Sequence, residues 1–386
     1  MQSITIFSLR QTVQIIILFA IVVALSISTH AQFRYSTNRV IIKDTTISSK
    51  ILGEERKIDI YKPEIFPEYS GMASPIIYVF DGEAYINYFA NMINMLCERF
   101  VQMPPITVVG IENYDNARDR DFKSKSGVDK FMRFVSEEVI PFVEKNYKKA
   151  PYRMIVGHSS SADFAMHVFF KEPSLFNGYL LSSPDLRDDR DIRLADSSLS
   201  YLTERKNTLF MSCGIEGWAQ ESVNRLDSFL KQKVQKGLSY QIMRYSDESH
   251  YSVFLKSYYD GFHYIFKLDP AETLKNPKDM TIQIFQDHYK KMQEIFGISI
   301  KPPETLTRQY AETFFSNWNN LDKALDFFKE NAENYPSDPS TQIEYADALL
   351  KKGDKQNALI RYKRALELNP GDTELKEKID KAKSEK

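Results

Sequence analysis

The sequence predicts an α/β fold, with a mostly parallel sheet covered by helices on both faces, followed by a small all-α domain of helical repeats. Three observations predict it. Short apolar runs alternate with amphipathic segments from residue 32 to about 268. A central serine lies between a strand-like and a helix-like run. A 34-residue spacing recurs between residues 308 and 386.

The composition limits the class of protein. The chain has 386 residues, too many for one ordinary core, so we expect two or three domains. Apolar residues make up 42% and the formal net charge is −1, as is typical of globular domains. A near-neutral chain without a basic block does not favour nucleic acid as the main partner.

The N-terminus has the layout of a secretory signal peptide over residues 1–31. Arg10 precedes an apolar run at 15–25, and small residues follow to Ala31, after which we expect cleavage. The alternative is an uncleaved membrane anchor, but the run is short for a span of about 20 residues. The mature protein is therefore predicted to be periplasmic or secreted, with no stable membrane span.

The chain has only two cysteines, Cys97 and Cys213, although export would place it in an oxidising compartment. Two cysteines allow at most one bridge, and each is better interpreted as a small buried apolar residue. No Cys/His cluster has the spacing of a zinc site, so the sequence implies neither a metal nor a cofactor.

The first elements are two strand-like runs at residues 39–42 and 57–61. Continuous apolar runs at 75–80 and 106–111 are typical of buried parallel strands. The helical spacing of apolar residues over 84–99 predicts a helix between them. Parallel strands joined by helices imply a sheet that is covered on both faces.

The next segment, residues 130–145, has apolar residues at helical spacing, with Pro141 late in the run predicting a kink or an early stop. Further strand-like runs lie at residues 152–156, 178–181, 208–212 and 240–245. The charged segment 186–198 has two interpretations, a solvated connection or a cap loop over the cleft.

The last part of the chain reads as helical. Residues 281–296 form one predicted helix that ends near Gly297. Three residue pairs then stand 34 positions apart: Ala324 and Ala358, Phe328 and Tyr362, and Pro336 and Pro370. This period, with small residues at packing positions and a terminal proline, is the tetratricopeptide signature.

The predicted domain boundaries follow from these patterns: the α/β domain at 32–270, a helical linker at 271–305 and the repeats at 306–386. Two repeat units are too few to bury their own apolar faces, so we expect the 281–296 helix and the α/β body to supply packing surface. The repeats present a candidate groove for a protein or peptide partner.

The central serine lies in the stretch Gly157-His158-Ser159-Ser160-Ser161. A strand before it and a helix after it make the context of a nucleophile elbow, which exposes the hydroxyl of Ser159 to a cleft. Strand and helix pass close together there, so the flanking positions must be small. Ser161 stands where glycine is usual.

A serine hydroxyl needs a base, and the base needs an orienting carboxylate. His250 follows the last predicted strand on a short polar loop and is the candidate base, whereas the side chain of His158 is expected to point away from the catalytic face. Glu216 follows another strand through a glycine and is the preferred acid. Asp247, three residues before His250, remains the alternative.

The tetrahedral intermediate needs two backbone N–H groups directed at its oxyanion. One is expected from Ser160, directly after the nucleophile. The other is expected from the turn after the 75–80 strand, at Gly82 or Glu83, where glycine allows close approach of the backbone. The alternative for this second position is a plain tight turn.

With these residues placed, the chain resembles the esterase family of α/β-hydrolases that includes esterase D, enterochelin-type siderophore esterases, feruloyl esterases and mycolyltransferases. The resemblance covers about residues 34–268. It is carried by residues 49–56, 77–82, 110–111, 118–122, 157–159, 181–184, 214–216 and 249–250. It implies an α/β-hydrolase fold and a Ser159–His250–Glu216 catalytic triad.

The resulting hypothesis is an exported serine esterase that hydrolyses a small-molecule carboxylic ester through an acyl-enzyme. A siderophore, an acylated carbohydrate or a similar ester would each fit the chemistry. The alternatives are a catalytically silent hydrolase scaffold whose repeats bind a partner, and an acyltransferase that uses a sugar acceptor.

Overall fold

An eight-stranded sheet forms the centre of the molecule, described here from a computed structural model. The structure describes residues 40–63, 74–99, 105–113, 115–147, 150–186, 207–233, 238–266 and 270–384. The predicted signal peptide and nearly all of the charged segment 186–198 lie outside the described residues. Residues from Val40 onward belong to one compact unit.

The strands are β1 (Ile42–Ser49), β2 (Glu54–Tyr61), β3 (Ile76–Phe80), β4 (Thr107–Ile111), β5 (Arg153–His158), β6 (Gly178–Ser182), β7 (Asn207–Cys213) and β8 (Leu238–Arg244). Their spatial order is β1-β2-β4-β3-β5-β6-β7-β8. The β1–β2 and β2–β4 pairs are antiparallel, and all other neighbours are parallel. The predicted mostly parallel sheet is confirmed.

The first strand starts later than the sequence predicted. It begins at Ile42, opposite Tyr61 of β2, and runs to Ser49, opposite Glu54. This edge strand is largely exposed and polar, so it lacks the continuous apolar run that marks the inner strands. Of the predicted run 39–42, only Ile42 belongs to β1.

Within the described ranges, the α-helices that connect and follow the strands are α1 (Gly82–Ile93), α2 (Asp115–Lys123), α3 (Lys125–Phe134), α4 (Ile140–Tyr147), α5 (Ser160–Lys171), α6 (Gly217–Lys233) and α7 (Val253–Phe266). A π-helical turn, Val135–Val139, joins α3 to α4. Proline lacks an N–H and its ring crowds the preceding turn, and the wider turn lets the helix continue past Pro141. The predicted early stop does not occur.

Each inner strand sends alternate side chains to opposite faces. Tyr78 and Phe80 of β3 join a core cluster with α3 to α6, which we call the α5 face. Ile77 and Val79 join a second cluster with α1 and α7, which we call the α7 face. The two buried cysteines lie on opposite faces, Cys97 on the α7 face and Cys213 on the α5 face, and neither forms a disulfide.

The C-terminal region is all-helical, as predicted. Its helices are α8 (Ile282–Phe296), α9 (Glu304–Glu312), α10 (Leu321–Asn334), α11 (Pro339–Lys352), α12 (Lys355–Leu368) and α13 (Thr373–Ser384). The Thr281 hydroxyl caps the start of α8, and Gly297, in the left-handed conformation, ends it. The repeat-spaced Ala324, Phe328, Ala358 and Tyr362 are all buried.

This helical region shares a hydrophobic core with the sheet. Phe296 of α8 stacks on Phe266 of α7, with ring centroids 5.1 Å apart, and contacts Tyr152 at 4.8 Å. Phe285 of α8 in turn contacts Phe327 of α10 at 5.2 Å. One cluster thus runs from the α7 face of the sheet into α10. The boundaries at 270 and 305 stay predictions.

Candidate active site

The serine turn has the backbone geometry of a strained elbow. β5 ends at His158, α5 begins at Ser160, and Ser159 between them has φ 59° and ψ −128°. Non-glycine residues seldom adopt positive φ, and such strain is found where function holds it in place. The Ser159 N–H donates to the carbonyl oxygen of Ser182 at 2.9 Å, which ties the turn to β6.

Two small residues make this turn fit. A Cβ atom on Gly157 would lie 2.4 Å from the carbonyl oxygen of Ser161, so no larger residue fits without a shift. The Ser161 hydroxyl donates to the His158 carbonyl at 2.8 Å and accepts from the His158 N–H at 3.0 Å. Ser161 replaces the usual glycine with a side chain whose hydroxyl bonds within the turn.

The imidazole of His250 reaches the serine from the turn between β8 and α7. Its Nε2 lies 3.2 Å from the Ser159 Oγ. Burial lowers the pKa of His250, the Glu216 carboxylate opposes that shift, and Arg118 adds to it. A lowered pKa keeps the ring neutral at neutral pH, so its Nε2 can accept a proton.

The Glu216 carboxylate lies beside His250, where it accepts a hydrogen bond from the His250 backbone N–H. The second Glu216 oxygen, Oε2, and the His250 Nδ1 are both buried without a hydrogen-bond partner among the described residues. The Ile215 N–H donates to the Glu248 carbonyl at 2.9 Å, which joins the loop after β7 to the loop after β8. These bonds bring the preferred acid to the base.

Asp247 points elsewhere. Its side chain is 66% exposed, and its Oδ2 lies 3.2 Å from the Lys256 Nζ. The structure therefore brings Glu216, and not Asp247, into hydrogen-bond contact with His250.

The candidate oxyanion donors lie at two helix N-termini, where backbone N–H groups have no acceptor within their own helix. Ser160 is the first residue of α5, and Gly82 is the first residue of α1. A Cβ on Gly82 would lie 2.6 Å from the carbonyl carbon of Gly110, so the close approach of α1 to β4 requires glycine. The Glu83 carboxylate accepts a hydrogen bond from the Asn113 backbone N–H at 3.0 Å.

His158 also belongs to this site, which the sequence reasoning missed. Its ring lies 4.7 Å from the His250 ring, its Nε2 is 2.8 Å from the His250 carbonyl oxygen, and its Nδ1 is 3.0 Å from the Tyr85 hydroxyl. The expectation that this side chain points away is wrong. His158 is two residues from Val156, which faces α7, and the loop of His250 leads into α7.

Three more side chains surround the base. The rings of Trp218 and Tyr251 lie 5.1 and 5.6 Å from the His250 ring. Arg118 of α2 makes two hydrogen bonds to the Asp81 carboxylate, at 2.9 and 3.1 Å. Trp218 lies in the first turn of α6, Tyr251 in the turn before α7 and Arg118 in the polar helix α2. None of them lies in an apolar run of the sequence.

The remaining histidines of the described part of the chain lie elsewhere. The His167 Nε2 is 3.0 Å from Asp129, and the His263 Nε2 is 2.8 Å from the Tyr259 hydroxyl. Within the described ranges, no group of three or more His, Cys, Asp or Glu side chains is arranged to hold a metal ion. In the same ranges, no helix is both long and apolar enough to cross a membrane.

Comparison with known proteins relates this chain to esterases. Residues 49–254 match the family described as Putative esterase. The chain is also similar to the ferri-bacillibactin esterase of Bacillus subtilis, with 25% identity over 242 residues that cover 54% of this chain and 83% of that protein.

Solved structures share the fold. An IroE-like serine hydrolase from Shewanella oneidensis matches with TM-score 0.60 and 21% identity, over 76% of this chain and 99% of its own. A protein from Capnocytophaga ochracea matches with TM-score 0.65 and 18% identity, over 89% of this chain and 100% of its own. A match over 89% of this chain must include C-terminal helices as well as the sheet. Since the family match spans more than half of its residues, this chain belongs to the Putative esterase family of ester hydrolases.

Proposed function

We propose that the protein is an exported serine esterase that hydrolyses a siderophore ester through an acyl-enzyme. The observation that carries the serine mechanism is the 3.2 Å contact between the His250 Nε2 and the Ser159 Oγ on a strained elbow. The substrate class is supported by the similarity to a ferri-bacillibactin esterase. Export is supported by the signal-peptide pattern of residues 1–31.

Acylation would begin at the Ser159 hydroxyl. As its oxygen attacks the ester carbonyl carbon, the His250 Nε2 takes the hydroxyl proton. The tetrahedral intermediate collapses, the carbon–oxygen bond to the alcohol breaks, and His250 returns the proton to the leaving alkoxide. Water then attacks the acyl-enzyme by the same route, which releases the acid and restores Ser159.

Glu216 would act through its charge and through the backbone. It raises the pKa of His250 against the effect of burial, which means that it stabilises the imidazolium formed in the transition state. Its Oε2 and the His250 Nδ1 are both buried and unpartnered among the described residues, and an imidazolium would donate its Nδ1–H to that carboxylate. In this assignment Glu216 orients the base and balances its charge.

The N–H groups of Ser160 and Gly82 would bind the oxyanion. Both belong to helix N-termini, whose partial positive charge favours an anion. Glu83, the next residue of the same helix, stays the alternative donor at this turn. Removing one such donor from an acyl-transfer site typically costs about 3–4 kcal/mol of transition-state stabilisation.

The test is Ser159→Ala, measured on ferri-bacillibactin and on p-nitrophenyl acetate. We expect kcat to fall by at least about 1000-fold on both esters, because the nucleophile is removed. Fluorophosphonate labelling should disappear in parallel. The matched control is Ser228→Ala, on the exposed side of α6, which should keep full activity and full labelling. Unchanged turnover by Ser159→Ala would refute the serine mechanism.

Product analysis tests the substrate class and the acyl acceptor. Hydrolysis predicts that the free acid appears in step with the alcohol, with or without added sugar. A sugar ester as the main product would favour the acyltransferase. A kcat/KM for ferri-bacillibactin no higher than that for p-nitrophenyl acetate would contradict the siderophore assignment.

A further inference from the structure

The backbone of the candidate base is held at both of its polar groups. Its N–H donates to the Glu216 carboxylate, and its carbonyl oxygen lies 2.8 Å from the His158 Nε2. With both groups held, the His250 side chain can reorient only by rotating about its own bonds. The second of these contacts comes from the residue directly before the nucleophile.

The contacts of His158 fix its tautomer. A carbonyl oxygen only accepts hydrogen bonds, so the Nε2 that faces it carries the hydrogen. In a neutral ring the Nδ1 is then an acceptor, and the Tyr85 hydroxyl at 3.0 Å donates to it. Burial, together with the nearby His250, lowers the pKa of His158 to about 4, so the ring stays neutral above that pH.

We infer that His158 is a positioning residue, which holds the His250 loop at the nucleophile through a one-way chain of hydrogen bonds from Tyr85. The inference rests on the proposed Ser159–His250 mechanism. In this chain the Tyr85 O–H donates to Nδ1, and the Nε2–H donates to the His250 carbonyl. His158 touches neither substrate nor reacting atoms in this role.

The steric setting supports the same assignment. His158 is only 6% exposed. Its ring centroid lies 4.7 Å from that of His250, 5.8 Å from that of Phe254 and 6.1 Å from that of Tyr85. A ring packed in this way keeps its Nε2 directed at one carbonyl. Since β5 carries both His158 and the elbow, the chain couples the position of the base to that of the nucleophile.

Two substitutions separate the hydrogen bond to the loop from the one to Tyr85. A glutamine amide nitrogen reaches about as far as the imidazole Nε2, whereas an asparagine amide reaches only as far as Nδ1. His158→Gln should therefore still donate to the His250 carbonyl, and His158→Asn should not. Both keep a polar side chain at the same buried position.

We expect His158→Gln to keep kcat within about 5-fold of the parent and His158→Asn to lower kcat about 50-fold or more, since a misplacement of about 1 Å can cost 100-fold. KM should stay within about 3-fold in both, because the chain positions the base and does not bind substrate. Tyr85→Phe removes only the first donor and should lower kcat about 5-fold. Circular dichroism and the unfolding temperature check the fold of each variant.

Equal kcat values for the Gln and Asn variants would overturn the inference, whether both remained active or both were inactive. Should the Asn variant fail to fold, Tyr85→Phe carries the test, and an unchanged kcat in that variant would overturn the inference. These outcomes differ from failure of the proposed mechanism, which would appear as activity in Ser159→Ala. If Ser159→Ala lost activity and the Gln and Asn variants had equal kcat values, the serine esterase mechanism would stand and the positioning role of His158 would be rejected.

Discussion

At the scale of single residues, the site depends on two side chains that each do more than one thing. Glu216 accepts the His250 backbone N–H and also sets the charge beside the imidazole. Ser161 closes the elbow by bonding both backbone polar groups of His158. In both cases a side-chain oxygen fixes the backbone of a candidate catalytic residue or of the residue directly before it.

The role of Glu216 gives a prediction about pH. In Glu216→Gln we expect kcat to fall by about 100-fold or more, because the charge that supports the imidazolium is lost. The carboxylate raises the pKa of His250, so its removal lowers that pKa further. Only the neutral ring can act as base, and the acid limb of the kcat/KM profile should therefore move to lower pH. Rates measured between about pH 4 and 9 would show this shift.

The matched control is Asp247→Asn, which changes an exposed carboxylate that pairs with Lys256. We expect its kcat to stay within about 2-fold of the parent, as is usual for a surface ion pair. A larger loss for Asp247→Asn than for Glu216→Gln would reverse the assignment of the acid.

Sequence reasoning reached the residues that follow predicted strands, although β8, the strand before His250, is only partly buried. Ser159, Glu216 and His250 were predicted because each comes after a recognisable apolar run, and parallel strands bring their carboxyl ends to one edge. His158 was misjudged although it lies next to the serine. Its contacts depend on which loop lies across the α7 face, and that is decided by packing far away in the sequence.

At the scale of elements, the elbow depends on how closely β5 and α5 pass. Gly157→Ala would place a Cβ 2.4 Å from the Ser161 carbonyl, a backbone atom that cannot yield cheaply. We expect the free energy of unfolding to fall by about 2–3 kcal/mol, in the range of overpacked sites, with loss of esterase activity. Urea denaturation measures the former. Gly371→Ala, whose Cβ would meet no atom closer than 3.9 Å, should change stability by less than about 0.5 kcal/mol. Equal stability of the two variants would show that the turn tolerates a larger residue.

Elements were predicted well where one physical signal dominates. The inner strands are buried on both faces and read as continuous apolar runs. Residues 43–49 of β1 were missed because an exposed edge strand has no such run. The π-helical turn before Pro141 could not be read from spacing, since an α-helix and a wider turn share nearly the same apolar pattern.

At the scale of the whole molecule, the sheet and the C-terminal helices are joined by a continuous core. The aromatic contacts run from Tyr152 through Phe296, and α8 continues the core through Phe285 to Phe327. The repeat spacing predicted the helices of the tail. It did not predict which apolar side chains face the sheet, because side chains that face the sheet and side chains that face a neighbouring helix are of the same chemical type.

The continuous core predicts that the tail and the esterase unfold together. Phe285→Ala removes a side chain that is 0% exposed, and we expect a loss of about 3–5 kcal/mol in the free energy of unfolding. Helical circular dichroism and esterase activity should be lost at the same urea concentration, as in a single cooperative transition. Ile360→Ala, at a position 56% exposed, should leave that concentration nearly unchanged. Activity that outlasts the helical signal in Phe285→Ala would show that the tail is an independent domain.

The two cysteines are native probes of how the two faces of the sheet open. Because Cys97 and Cys213 are buried on opposite sides of the sheet, an alkylating reagent can modify each thiol only when its own layer opens. Mass spectrometry of the two tryptic peptides would measure the alkylation rate of each thiol, and therefore the opening of each face, without any engineered label. A molecule that opens as a whole would alkylate both thiols in step. If the helices on the α7 face detach first, Cys97 would be alkylated well before Cys213.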